Sequence, residues 1–184
     1  MRIVAGTHRG RRLQTLKGDK LRPTSDQMRE TLFDVLGLRV AGSTFVDAYA
    51  GSGAIGLEAL SRGADEVVFI EHHRGANKII HKNLEVLDIR AGYRMMTCKV
   101  LTGIERLDEE GVAFDFVFLD PPYDEISEYH HALRLLGRSR MIRPSSLVIA
   151  EHSRYCLLED HYAQLSKTRT IRHGDVELSF YQLA

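Results

Sequence analysis

Asp120, Pro121, Pro122 and Tyr123 directly follow an apolar run, Phe114 to Leu119, that is broken only by Asp115. The two prolines fix φ and carry no backbone N–H, so they stiffen the segment. Each also biases the residue before it toward extended geometry. The Asp120 side chain and the neighbouring carbonyls are then rigid hydrogen-bond acceptors, with the Tyr123 ring beside them. That set suits an exposed nucleobase: the acceptors take an exocyclic amine and the ring stacks on the base. The plain alternative is a proline turn after a strand, with Tyr123 as ordinary packing.

A second segment points to a nucleoside-containing cofactor. Gly51, Gly53 and Gly56 match G-x-G-x-x-G after a short apolar strand, and Glu71 lies twenty residues past Gly51 at the end of the next strand. An acidic side chain at that place reaches ribose hydroxyls. The alternative is a tight turn that only lets strand and helix pack closely. Asp47, four residues before Gly51, separates two cofactor classes. A carboxylate there repels the pyrophosphate that dinucleotides place at the helix N-terminus. It favours the cationic amine of S-adenosylmethionine, whose own carboxylate can use the loop amides.

The 184 residues carry zero net charge, 43% hydrophobic and 27% charged residues, which fits one ordinary globular domain. The neutrality hides an asymmetry. Residues 1–22 hold Arg2, Arg9, Arg11, Arg12, Lys17, Lys20 and Arg22 against Asp19 alone, so they are +6 and the remainder is −6. Strand-forming residues at Arg2 to Gly6 and Arg11 to Leu16, with a turn from Gly6 to Gly10, predict a basic β-hairpin rather than a solvated tail. Such a patch fits a nucleic acid. Cys98 and Cys156 are far apart and read as reduced thiols. With no signal-peptide core and no apolar run of membrane length, the expectation is a cytoplasmic protein. His72, His73, His81, His130, His131 and His152 have no metal-ligand spacing, so no metal is expected. Ser52 lacks the surroundings of a hydrolase nucleophile.

Alternating signals position these residues. Thr24 with Gln27 has capping-box spacing and opens a helix whose inward face is Met28, Leu32, Val35 and Leu36, stopping at Gly37. Strands are expected at Thr44–Val46, Glu66–Ile70, Tyr93–Cys98, Phe114–Leu119 and Leu147–Ala150. Helices are expected at Ala54–Arg62, Gly75–Leu87, Leu101–Glu109 and Ile126–Gly137. This β-α alternation predicts a mostly parallel, doubly wound α/β sheet. Leu165–Ile171 and Val176–Leu183 around Gly174 predict an antiparallel C-terminal hairpin. The expected division is a basic hairpin extension over 1–20 and an α/β domain over 21–184.

Three segments together resemble the RsmD-type methyltransferases of bacteria: Leu21 to Phe33, Asp47 to Ala64, and Asp120 to Tyr123. The resemblance runs over nearly the whole chain, including Glu151 and the hairpin at His173, Gly174 and Asp175. It implies a Rossmann-like class I fold and methyl transfer from S-adenosylmethionine to the N2 amine of a guanine in 16S ribosomal RNA, free or in an assembling small subunit. It implies catalytic roles for Asp120, Pro121, Pro122 and Tyr123. Cofactor contacts would come from Arg22, Thr24, Asp47, Tyr49, Ala50, Gly51, Ser52, Gly53, Glu71 and His72, and RNA contacts from Arg2, His8, Arg9, Arg11 and Arg12. A monomer is expected. One departure stands out: Thr97, Cys98 and Lys99 occupy the place where such enzymes often carry an acidic or amide side chain toward adenine, which leaves that contact to the backbone. The rival readings are an adenine-N6 methyltransferase, whose pattern shares Asp120 to Tyr123, a dinucleotide-binding oxidoreductase, and a non-catalytic RNA-binding module.

Overall fold

The computed structural model describes residues 1–15, 26–122 and 125–184. In chain order the elements are α1 (Asp26–Leu36), a 3-10 turn (Gly37–Val40), β1 (Thr44–Ala48), α2 (Ala54–Ser61), β2 (Glu66–Ile70), α3 (Arg74–Val86) and β3 (Tyr93–Met96). They continue with α4 (Val100–Glu110), β4 (Phe114–Leu119), α5 (Ile126–Leu136), β5 (Ile142–Ser153), β6 (His161–Tyr162), β7 (Leu165–His173) and β8 (Val176–Leu183). The capping pair Thr24 with Gln27 and the expected boundary at residue 20 involve residues outside the described ones. The chain divides into two compact units, Met1–Thr97 and Cys98–Ala184.

In the first unit β1 and β2 pair in parallel, as do β2 and β3. Strands β1 and β2 are each buried over four of five residues, as expected for strands covered on both faces. Helix α2 is buried on every side. Gly56 permits this, because a Cβ there would sit 2.3 Å from Phe69 Cε1 and 2.7 Å from Val67 Cγ1. On α3 the inward face is Ala76, Ile80, Asn83 and Leu84, followed by Leu87. The expected Ile79 is only half-buried.

The predicted N-terminal hairpin forms, but as a bridge rather than two full strands. Arg2 and Arg12 make one antiparallel bridge, flanked by Ile3 N to Arg11 O at 2.9 Å and Leu13 N to Met1 O at 3.0 Å. Longer pairing is absent here because other partners take the amides. Val4 N and Ala5 N donate to the Glu58 carboxylate of α2 at 2.8 and 2.9 Å. Ser61 adds a second clamp, its Oγ donating to Ala5 O at 2.6 Å and accepting from His8 N at 3.0 Å. Gly6 lies so close that a Cβ would fall 1.8 Å from Ser61 O. Ile3 and Leu13 are buried. The buried Arg29 of α1 donates to Arg2 O and to Asp26 Oδ1, both at 2.7 Å. The arm is thus part of the folded unit.

In the second unit β4 and β5 are parallel, while β5–β8, β8–β7 and β7–β6 are antiparallel. The expected parallel strands followed by a C-terminal antiparallel hairpin are present. Strand β5 is longer than the apolar stretch Leu147–Ala150 because it continues past a bulge opposite Phe114 and Phe116. Ser146 closes that bulge, accepting from Arg143 N at 2.9 Å and donating to Phe114 O at 2.6 Å. Pro144 within it is the type of residue that argues against a strand in a sequence reading. Strand β3 ends at Met96, short of the expected Cys98, and β6 gave no readable signal.

Candidate active site

In the first unit the described cofactor candidates gather at the carboxyl ends of β1 and β2. Asp47 lies within β1, and Tyr49 turns the chain with φ +62. A non-glycine residue there is uncommon and concentrates at functional sites. Gly51 and Gly53 follow with φ +55 and +77, and Gly53 N donates to Ala50 O at 2.7 Å to close the turn. Ala50 N is held by Ile70 O at 3.1 Å.

Two carboxylates fix this loop. Glu71 Oε2 accepts from Gly51 N at 2.9 Å, and Oε1 accepts from His73 N at 2.7 Å. Each carboxylate oxygen keeps further lone-pair capacity for a ribose hydroxyl. Exposed His72 places Nδ1 3.6 Å from Glu71 Oε1. Asp47 Oδ2 accepts from Gly56 N at 2.8 Å, in the first turn of α2. Burial pushes the Asp47 carboxyl up to about 8, reinforced by the Glu71 charge and opposed by the Gly56 amide. Without a cation beside it, this carboxyl is mostly protonated at neutral pH; an ammonium group would draw the proton off.

This shift has a testable sign. The folded pKa lies above the unfolded value of 3.8, so the Asp47 contribution to stability is fully present below 3.8 and is lost as pH rises through about 8. Asp47→Asn keeps an acceptor for Gly56 and removes the titration. The ligand-free variant should show a flatter dependence of Tm on pH across that window. It should also be more stable than wild type near pH ~9, by several kcal/mol at most. Superimposable pH profiles of the two proteins would show that Asp47 does not titrate there.

In the second unit Asp120 follows β4 and is half-buried, Pro121 is buried and Pro122 exposed. Pro122 O accepts from Glu125 N at 2.9 Å. Among the described residues Pro121 O receives a long 3.5 Å approach from the buried Tyr129 hydroxyl, which donates at 2.7 Å to Glu151 O. Among the described residues Pro121 O thus has the longer hydrogen bond of the two proline carbonyls. Tyr123, Arg22 and Thr24 lie outside the described residues.

The arm residues fall into two groups. Arg2 Nε lies 3.5 Å from Asp26 Oδ2, and Arg11 donates to Val86 O at the end of α3. Arg9 and Arg12 are exposed and make no ion pair among the described residues. His8 is half-buried through its contact with Ser61. Sequence reasoning missed Glu58, Ser61 and Asn83, which fix the arm and the loop. A signal existed: Glu58 is a lone charge inside the apolar run Ile55 to Leu60, and Asn83 interrupts the inward stripe of α3.

Among the described residues no cluster of His, Cys, Asp and Glu could hold a metal ion, and no helix is long and apolar enough to cross a membrane. The family described as Conserved hypothetical protein 95 matches residues 1–182. The ribosomal RNA small subunit methyltransferase D of Haemophilus influenzae is 35% identical over 151 residues, covering 82% of this chain and 78% of that protein. YlbH of Bacillus subtilis, named for rRNA methyltransferase activity, is 29% identical over 182 residues, covering 99% and 98%. A solved structure named as the methyltransferase yhhF of Escherichia coli superimposes with a TM-score of 0.87 at 30% identity, covering 100% of this chain and 97% of that one. A hypothetical protein of Thermus thermophilus does so with a TM-score of 0.84 at 26% identity, covering 100% and 99%. The architecture is the Rossmann-like α/β fold expected from the β-α alternation, and the chain belongs to the Conserved hypothetical protein 95 family of methyltransferases.

Proposed function

We propose that the protein transfers a methyl group from S-adenosylmethionine to the exocyclic N2 amine of a guanine in 16S ribosomal RNA of the small subunit. The observation that carries this reading is the placement of acidic residues at strand carboxyl ends: Asp47 and the glycine loop with β1, Glu71 after β2, and Asp120 after β4. Ligands of open α/β sheets bind at those ends. The relatives named as ribosomal RNA methyltransferases support the substrate.

S-adenosylmethionine supplies an electrophilic methyl group on a sulfonium. Asp47 and the segment Tyr49 to Gly53 hold its methionine part, and Glu71 holds the ribose, with His72, Arg22 and Thr24 completing the contacts. The guanine amine is a weak nucleophile because its lone pair is delocalised into the ring. Asp120 and the Pro121 carbonyl accept its two N–H bonds, orient the lone pair and favour a pyramidal nitrogen. The N–C bond forms as the C–S bond breaks, and the proton then leaves to Asp120 or water. Alignment and stabilisation of the developing cationic nitrogen account for the acceleration. Tyr123 stacks on the extruded base, which offsets part of the unstacking cost. Arg9 and Arg12, with Arg2, His8 and Arg11, take phosphates of folded RNA. The enzyme acts as a cytoplasmic monomer without a metal.

The direct test uses small subunits from a bacterial strain lacking this activity, tritiated S-adenosylmethionine and nucleoside analysis. The expected product is N2-methylguanosine in 16S RNA. Label in N6-methyladenosine, or none in RNA, would overturn the reading.

A further inference from the structure

Asn83 of α3 is fully buried at 0% exposure, yet its amide serves two separate segments. Oδ1 accepts from Gln14 N at 2.7 Å, and Nδ2 donates to Gln14 O at 3.0 Å. The second Nδ2 hydrogen goes to Ser52 O at 2.9 Å. Gln14 lies at the far end of the described arm, and Ser52 sits between Gly51 and Gly53. Both amide hydrogens and the oxygen are thereby used. A second contact joins the same two segments: Ser52 Oγ approaches Met1 Sδ at 3.9 Å.

We propose that Asn83 is a positioning residue that couples the arm to the glycine loop, so that ribosomal RNA on the arm and cofactor on the loop tighten each other's binding. This rests on the reading of the arm as the RNA contact and of the loop as the cofactor contact. One orientation of the Asn83 amide satisfies both segments. When the arm moves off, Nδ2 and Oδ1 lose partners in a buried place. The amide then turns to regain them, and Ser52 O is released. The loop samples more conformations, and binding the cofactor must order it again. RNA that holds the arm in place removes that freedom beforehand. The coupling is reciprocal by linkage. Asn83 does more than fasten the arm, because Glu58, Ser61 and Arg29 already hold residues 2–8 independently of it.

The test measures S-adenosylhomocysteine affinity by calorimetry, with and without saturating deproteinised small-subunit ribosomal RNA. In wild type the RNA should tighten S-adenosylhomocysteine about fivefold or more, and S-adenosylhomocysteine should tighten RNA by the same factor. Asn83→Asp keeps an acceptor oxygen for Gln14 N and loses both donors, and its ratio should fall to about one. A wild-type ratio of one, or an unchanged ratio in the folded variant, overturns the proposal. Amide exchange on the wild-type protein decides the matter if the variant does not fold. RNA binding should then slow exchange at Ser52 and Gly53, and unchanged exchange there overturns the coupling. The double variant Arg9→Ala/Arg12→Ala isolates the underlying reading. RNA binding as tight as wild type in that variant would remove the arm from the RNA contact, and the coupling with it.

Discussion

Asp120→Ala is expected to slow single-turnover methyl transfer by roughly 10²–10³-fold, the usual effect of removing one preorganised group aimed at developing charge. S-adenosylhomocysteine affinity should change by less than about twofold, because the lost interaction acts on the amine and not on the cofactor. Asp120 can act this way because β4 and the prolines place it without its own flexibility. The strand before it is buried over five of six residues, counting Phe114 and Phe116 to Leu119, and Pro121 is itself buried. Pro121 O remains in the variant, so part of the orientation survives. Asp120→Asn keeps an acceptor oxygen but not the charge, and its rate should fall between the two. Rapid-quench measurements at saturating cofactor would check this; a rate for the alanine variant within about threefold of wild type would exclude Asp120 from the chemical step.

Glu58→Ala is expected to destabilise the protein by about 3 kcal/mol and to free the arm. The carboxylate is fully buried and holds three donors: Val4 N, Ala5 N and Arg62 Nε, the last at 2.8 Å. Hydrogen bonds to a charged group contribute about 1.5–3 kcal/mol each, and their removal leaves amides without acceptors. Some of the loss is recovered where water reaches Val4 and Ala5, which are only half-buried. Arg62 also keeps its place over the Phe33 ring, 4.7 Å from the centroid. Urea unfolding would give the stability change. Limited proteolysis would show faster cleavage within residues 1–15 than in wild type. Unchanged proteolysis would mean that Ser61, Arg29 and the buried Ile3 and Leu13 suffice to hold the arm.

The glycine turn, the acidic strand ends and the proline segment are legible in the sequence because each is local. A strand, a glycine turn and an acidic residue at the next strand end form a signature within about 25 residues, and proline stiffening acts on adjacent residues only. Strands β2 and β4 were read with their full bounds because continuous apolar runs mark strands buried on both faces. Contacts between distant partners leave no such local mark. Strand β5 was shortened because a bulge around Pro144 hides its first half, and the closure by Ser146 depends on Phe114 O.

The sequence by itself determined the α/β class, the glycine loop, the acidic strand ends and the basic character of the arm. Only the tertiary structure decided what the arm does with its backbone. Hydrogen bonds across the hairpin and hydrogen bonds to Glu58 compete for the same amides, and the buried carboxylate takes Val4 and Ala5. It also decided that the Asp47 carboxyl holds its proton more tightly than a free one, because that depends on burial and on Gly56 and Glu71 around it. And it decided that Asn83, one polar residue in an apolar stripe, joins Gln14 to Ser52 across 69 and 31 residues of chain. Such bonds follow from packing, which periodicity in a sequence does not encode.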